Sequence, residues 1–233
     1  MTSETGTMLR EFLRSPIDTG AVAPSSRRLA AAVTAPVPEC GDPVIVELGP
    51  GTGAFTGIIQ EQLGGRGRHL AIEKNPQLSE KLSERFPYVD VLNAQASQLP
   101  QLLAEHGHEK ADVVVSGLPW ASFPSHVQYD TLAAIRNVLA PQGAFTTFGY
   151  VHAMRLTPAL RFRRMLHDAF EEVVAGRTVW GNLPPALVYH GRRARNVTPA
   201  GSAPPPRSAA GAGTQAAGRR PVTAGDRGAQ PAG

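Results

Sequence analysis

The sequence has one cysteine, Cys40, which excludes an internal disulfide and any metal site built on paired cysteines. It also lacks an apolar run of about eighteen residues, so no segment reads as a membrane-spanning helix. The opening "MTSETGTMLREFLR" has no apolar centre of the kind a signal peptide needs. A cytoplasmic protein is therefore expected, and the sequon Asn196-Val197-Thr198 has no consequence there. Aromatic residues are sparse at 6%, which draws attention to those near strand ends. Net charge is small where it would matter. Arg207, Arg219, Arg220 and Arg227 stand against Asp226 alone and supply most of the +4 total. The first 195 residues are close to neutral, without the basic excess that phosphate contacts ask of a nucleic-acid enzyme.

Glycine and proline are plentiful, 24 and 21 in 233 residues, and many lie near the end of the chain. From Asn196 onward the sequence reads "NVTPAGSAPPPRSAAGAG…", with almost no large apolar side chain to offset the entropy of ordering. A disordered tail is expected over 196–233. The remaining length suits one core. The expected organisation is an N-terminal helical segment at 1–38, a main domain at 39–195, and the tail.

Periodicity then sets the elements. "MLREFLR" places Leu9, Phe12 and Leu13 opposite Arg10 and Arg14, a short amphipathic helix that packs on the domain or lies at a lipid interface. "APSSRRLAAAV" offers Ser25 or Ser26 as an N-cap, with Leu29, Ala32 and Val33 turned inward. Strands are expected at 44–48, 68–72, 89–92, 112–115, 144–149, 171–179 and 185–190. Helices are expected near 54–63, 77–85, 98–105, 126–139 and 157–168. Short apolar strands alternating with helices indicate an α/β fold, a doubly wound, mainly parallel sheet covered on both faces. Ligands in such sheets bind beyond the carboxyl ends of the strands.

The first strand runs into "ELGPGTGA", with Gly49, Gly51 and Gly53 at alternate positions. Gly49, Gly51 and Ala54 alone satisfy the dinucleotide fingerprint, so the turn by itself leaves a nicotinamide enzyme open. Two acids flank it. Glu47 precedes the glycines inside the strand, and Glu73 closes the second strand in "HLAIEKNP", where a carboxylate can accept both hydroxyls of a ribose.

Led by Glu47, this arrangement resembles the first motif of class I S-adenosylmethionine-dependent methyltransferases, which implies a Rossmann-like seven-stranded sheet and S-adenosyl-L-methionine as cofactor. The resemblance implies that Glu47 orients the cofactor's ammonium, that Gly49, Gly51 and Gly53 let the backbone approach it, and that Glu73 and Lys74 meet the ribose end. It further implies that Gln95, in "LNAQASQL", accepts from the adenine amine beside Ala96, with Ser116 at the end of the fourth strand.

"SGLPWASFP" follows that strand. Adenine N-methyltransferases carry Asn or Asp before x-Pro-aromatic here; Leu118, Pro119 and Trp120 match, but Gly117 stands where the side-chain acceptor would be. The chain resembles the ribosomal RNA adenine dimethyltransferases over much of this domain. It is more similar to the bacterial phospholipid N-methyltransferases, through "FLRSP", "GAVAPSSRRLA", "VELGPGTGAFT", "AIEKNP", "SGLPW" and "WGNLPPALVY". This resemblance implies methylation of an amine-bearing lipid such as phosphatidylethanolamine, with peripheral contact at the inner membrane face. Adenine in ribosomal RNA and a soluble amine are the alternative acceptors.

An amine that becomes a quaternary ammonium suits aromatic walls. Trp120 and Tyr150 are read as such walls, with Ser116 beside them; Trp180 and Tyr189 read as ordinary core or surface rings. Tyr150, His152 and His126 are the side chains that could take the amine's proton. Arg155, Arg161, Arg163 and Arg164, among Leu156, Leu160, Phe162 and Leu166, read as a basic rim for anionic lipid or substrate phosphate, in concert with Arg10 and Arg14, or as a solvated helix face.

Overall fold

The computed structural model describes residues 25–195. The helix expected at 8–14 and the tail expected at 196–233 lie outside those residues. Helix α1 (Arg27–Thr34) begins at Ser26, whose hydroxyl accepts from the Leu29 backbone N–H at 3.2 Å. Its Leu29, Ala30 and Val33 are buried with Ile45 and Val113 of the sheet, so this part of the expected N-terminal segment shares the main core. Burying a Leu or Val of this kind stabilises by about 1.5–3 kcal/mol.

The sheet comprises β1 (Val44–Leu48), β2 (Arg68–Glu73), β3 (Asp90–Asn93), β4 (Ala111–Ser116), β5 (Leu139–Tyr150), β6 (Phe170–Ala175) and β7 (Ala186–Ala194). Its order is β3-β2-β1-β4-β5-β7-β6. The first five are parallel, and β7 runs antiparallel to both β5 and β6. Helices α2 (Ala54–Leu63), α3 (Pro76–Arg85), α4 (Leu99–Glu105), α5 (Ser125–Val138) and α6 (Thr157–Ala169) cover its faces.

Alternation along each strand divides the side chains between two cores. Ile45, Val113 and Val115 pack with α1 and α2. Val46, Leu48 and Val114 pack with Leu99, Leu103, Ile135 and Leu166 on the other face. The strands read as continuous apolar runs because both faces are covered. The order of strands reverses between β1 and β4, and the crevice at that switch lies beyond Leu48 and Ser116.

Three strands differ from expectation, β7 by running on to Ala194, four residues past the expected end. β5 begins five residues early, because Leu139 pairs with Ala111 before the register jumps to Ala144 opposite Val113. The bulge takes up Pro141 and Gly143, which look like a turn in sequence; a Cβ on Gly143 would meet the Ala140 and Ala111 carbonyls at 3.0 and 3.1 Å. β6 stops at Ala175, and only Val179 returns to the sheet, as an isolated bridge to Ala186.

Candidate active site

The glycine turn and the "SGLPW" turn meet at the switch point. Gly49 N–H donates to Ile72 O at 2.9 Å, and Gly117 N–H donates to Leu48 O at 2.8 Å, so both turns hang from neighbouring strand ends. A Cβ on Gly49 would lie 2.8 Å from Leu118 Cδ2. Gly51 adopts φ +57° and faces open space, with no atom within 4 Å of where a Cβ would stand. Gly53 closes the turn against α3, whose Leu82 and whose following Phe86 leave no room for a methyl group.

Glu73 is buried at the tip of β2. Its carboxylate accepts from Gly51 N–H at 3.1 Å and from Asn75 N–H at 2.9 Å, one bond to each oxygen. Asn75 also caps α3 through Leu78 N–H, so the carboxylate is held by a helix start as well as by the turn. Each oxygen keeps a further lone pair for a ligand hydroxyl.

Glu47 is wholly buried on the α2 side of the sheet. Thr56 Oγ1 donates to its Oε2 at 2.7 Å, and His69 Nε2 stands 3.2 Å from the same oxygen without hydrogen-bond alignment. Gln60 Nε2 stands 3.0 Å from His69 Nδ1, within hydrogen-bond distance. Glu47 Oε1 is buried with no partner among the described residues. A buried carboxylate oxygen without a donor is costly, and a ligand ammonium or a bridging water is what would satisfy it. Thr56, Gln60 and His69 gave no sign of this role in sequence.

At the end of β3, Asn93 donates to the carbonyls of Glu73 and Lys74, tying that turn to β2. Lys74 and Gln95 are exposed there, and Ala96 is half-buried. Gln95 N–H donates to Gln98 Oε1 at 2.9 Å, part of a capping box that opens the turn at Ala96.

Ser116 and Trp120 are bonded to each other at the end of β4. The Trp120 indole N–H donates to both Ser116 Oγ and Thr147 Oγ1 at 3.1 Å, and Thr147 Oγ1 donates to Ser116 O at 3.0 Å. One Trp120 face is stacked on Phe162 at 4.2 Å, with Phe145 and Phe123 at its edges, and the residue is 3% exposed. Trp120 is thus buried, with one ring face taken by Phe162. The Ser116 hydroxyl and the Trp120 indole N–H are bonded to each other and hold the turn in place.

A cavity of about 40 Å³ lies beside this turn, walled by Trp120, Phe148, Tyr150, Phe162 and Tyr189, with Arg163 also lining it. Burial raises the Tyr150 hydroxyl above its ordinary pKa, so it stays protonated at neutral pH. Burial likewise lowers His152, which stacks on Tyr150 at 5.7 Å. Tyr189, read from sequence as an ordinary ring, is a wall of the cavity; burial raises its hydroxyl and the Arg163 charge opposes that. His126 lines a separate cavity of about 520 Å³ between α5 and α6 that shares no residue with the aromatic one.

The basic stretch divides. Arg161 is drawn inward, donating to Gln128 Oε1 at 2.8 Å and Phe123 O at 3.1 Å, while the buried Gln128 amide donates to Trp120 O at 2.6 Å. Arg155, Arg163 and Arg164 remain exposed.

A family profile described as "Methyltransferase domain" matches residues 45–143, which include both turns and both acids. An ornithine lipid N-methyltransferase from Singulisphaera acidiphila is 35% identical over 187 residues, covering 78% of this chain and 92% of its own. The chain belongs to the class I S-adenosylmethionine-dependent methyltransferases. Among solved structures, the methyltransferase superposes on human methyltransferase-like protein 13 in complex with SAH at a TM-score of 0.54. That pair shares 15% identity over 71% of this chain and 81% of the other. It also matches the CurJ carbon methyltransferase at a TM-score of 0.54 and 18% identity, over 70% of its own length and about half, 51%, of that chain. At such identities the likeness shows the fold. The methyltransferase uses S-adenosylmethionine, and its turn fits that molecule: bare backbone over Gly51, a carboxylate at the tip of β2, and a buried carboxylate oxygen awaiting a donor.

Proposed function

We propose that the methyltransferase methylates the amine of a lipid head, of the phosphatidylethanolamine or ornithine lipid kind, at a membrane surface. The observation that carries this reading is the 35% identity to a lipid N-methyltransferase along 92% of that protein. The geometry is in keeping with it. Leu156 and Leu160 are exposed one turn apart at the start of α6, which carries Arg163 and Arg164, with Arg155 just before it. Trp180 and Leu183, 74% and 83% exposed, sit in the segment whose Val179 bridges to Ala186, the partner of Tyr150. Apolar tips beside cations at the mouth of an active site suit a headgroup layer. Among the described residues no helix is long and apolar enough to cross a membrane.

Bound S-adenosylmethionine supplies a methyl group on a sulfonium. In this reading Glu73 accepts the ribose hydroxyls and Glu47 Oε1 takes the ammonium, directly or through water. Gln95, beside Ala96 and Lys74, accepts from the adenine amine. Ser116 and Trp120 keep the Gly117 turn rigid, and Tyr150, held protonated, uses its oxygen lone pairs to orient an amine N–H. Alignment of this kind can contribute about 7–11 kcal/mol to the rate.

The adenine reading loses its footing at Gly117. A Cβ there would stand 2.5 Å from Gly49 O, so the fold leaves no space for the missing Asn or Asp. The test is incubation with labelled S-adenosylmethionine and vesicles of each lipid, beside undermethylated ribosomal RNA. Methylated lipid is expected; product on RNA alone would refute the reading. Glu73→Ala should weaken S-adenosylmethionine binding by about tenfold or more in calorimetry, and unchanged affinity would remove Glu73 from the site.

A further inference from the structure

Arg163 lines the aromatic cavity and has no carboxylate or carbonyl partner among the described residues. Arg161, on the same helix, is committed to Gln128 and Phe123, and the exposed Arg155 and Arg164 do not line the cavity. A cation so placed is at odds with the simplest substrate for such a cavity. Aromatic walls attract an ammonium, whereas a guanidinium at the same opening repels it. The conflict disappears if the substrate brings its own anion.

The size of the cavity supports this division. About 40 Å³ is room for a few waters, each needing about 10–15 Å³, so it admits the methyl-bearing tip of an amine and leaves the rest of a headgroup outside. Outside lies the Arg163 fork, whose planar donors match a carboxylate or phosphate with two parallel bonds. The guanidinium is near enough to the wall for its charge to act on the Tyr189 hydroxyl.

We propose that Arg163 binds an anionic group on the same lipid head whose amine enters the aromatic cavity, so that the methyltransferase selects zwitterionic heads over lone amines. The inference rests on the lipid-amine reading and adds a recognition element to it. The anion is a carboxylate if the head is an acylated amino acid and a phosphate if it is a phosphoethanolamine. Arg163 meets both in the same way.

The experiment uses the full chain in neutral detergent micelles with three acceptors: ornithine lipid, phosphatidylethanolamine, and a long-chain alkylamine without an anion. For the wild type, at least one zwitterionic lipid should have a KM about tenfold or more below that of the alkylamine. The better of the two identifies the anion. Arg163→Gln should raise that KM by about ten- to a hundredfold without raising the alkylamine KM, and Arg163→Lys should recover part of the loss. S-adenosylmethionine affinity, read by calorimetry, should be the same in all three proteins and serves as the folding control. An unchanged zwitterion KM in Arg163→Gln, with lipid still methylated, overturns this inference and leaves the lipid reading standing. An equal rise for all three acceptors assigns Arg163 to surface attraction and also overturns it. If the wild type methylates no lipid, both readings fall together.

Discussion

At the scale of single residues, the contact that most restricts chemistry is between two backbones. Gly117 is glycine because the Gly49 carbonyl occupies the space where its Cβ would go. Gly117→Asn, which would restore an adenine-type acceptor on paper, is expected to overpack the crossing of the two turns. The cost should be about 1–3 kcal/mol, with weaker S-adenosylmethionine binding and no gain of RNA methylation. A variant as stable as the parent in denaturant would show that the two turns can part. Trp120 teaches a related lesson. An aromatic after "GLP" reads as a ring offered to a ligand, yet Phe162, far along the chain, covers its face. Stacking between distant residues leaves no local pattern to read.

At the scale of elements, the motifs that define the family resemblance are neighbours in space. Asn182 of "GNLPPA" accepts from Ser26 N–H at 2.8 Å and donates to Pro184 O at 2.8 Å, so the loop before β7 anchors the start of α1. Asn182→Ala would leave a half-buried N–H and a carbonyl without partners, a loss of about 1–3 kcal/mol. Amide exchange should quicken at Leu29–Val33 more than in β1 or β4; uniform quickening would mean that Asn182 supports the fold at large instead. The elements themselves were mostly legible, since the strand runs are short, apolar and punctuated by glycine or proline. The early half of β5 was not, because Pro141 and Gly143 signal a turn and only pairing with Ala111 makes them a bulge.

At the scale of the whole molecule, stability should depend on pH through histidines placed in the sheet and its ends. His190, in β7, is half-buried, with Nδ1 lacking a partner among the described residues. Burial and then the Arg192 charge lower it below its ordinary 6.5. The unfolded chain therefore binds more protons below that value, and stability is full above about pH 6.5 and falls as the pH drops toward the folded-state pKa. His152 acts in the same direction. Urea midpoints measured from pH 8 to 5.5 should fall less for His190→Gln than for the wild type; parallel slopes would exclude His190 as a source.

What the sequence determined by itself was whatever local order can encode: the alternation of strand and helix, the tight turn of positive-φ glycines, and the acids at two strand ends. Those depend on periodicity and backbone sterics, which act over a few residues. Only the tertiary structure decided which groups face a ligand. It buried Trp120, drew Arg161 inward while leaving Arg163 outside, placed Thr56 and His69 around Glu47, and denied Gly117 a side chain. The physical reason is that each of these outcomes is a contact between segments far apart in the chain, fixed by close packing rather than by neighbouring residues.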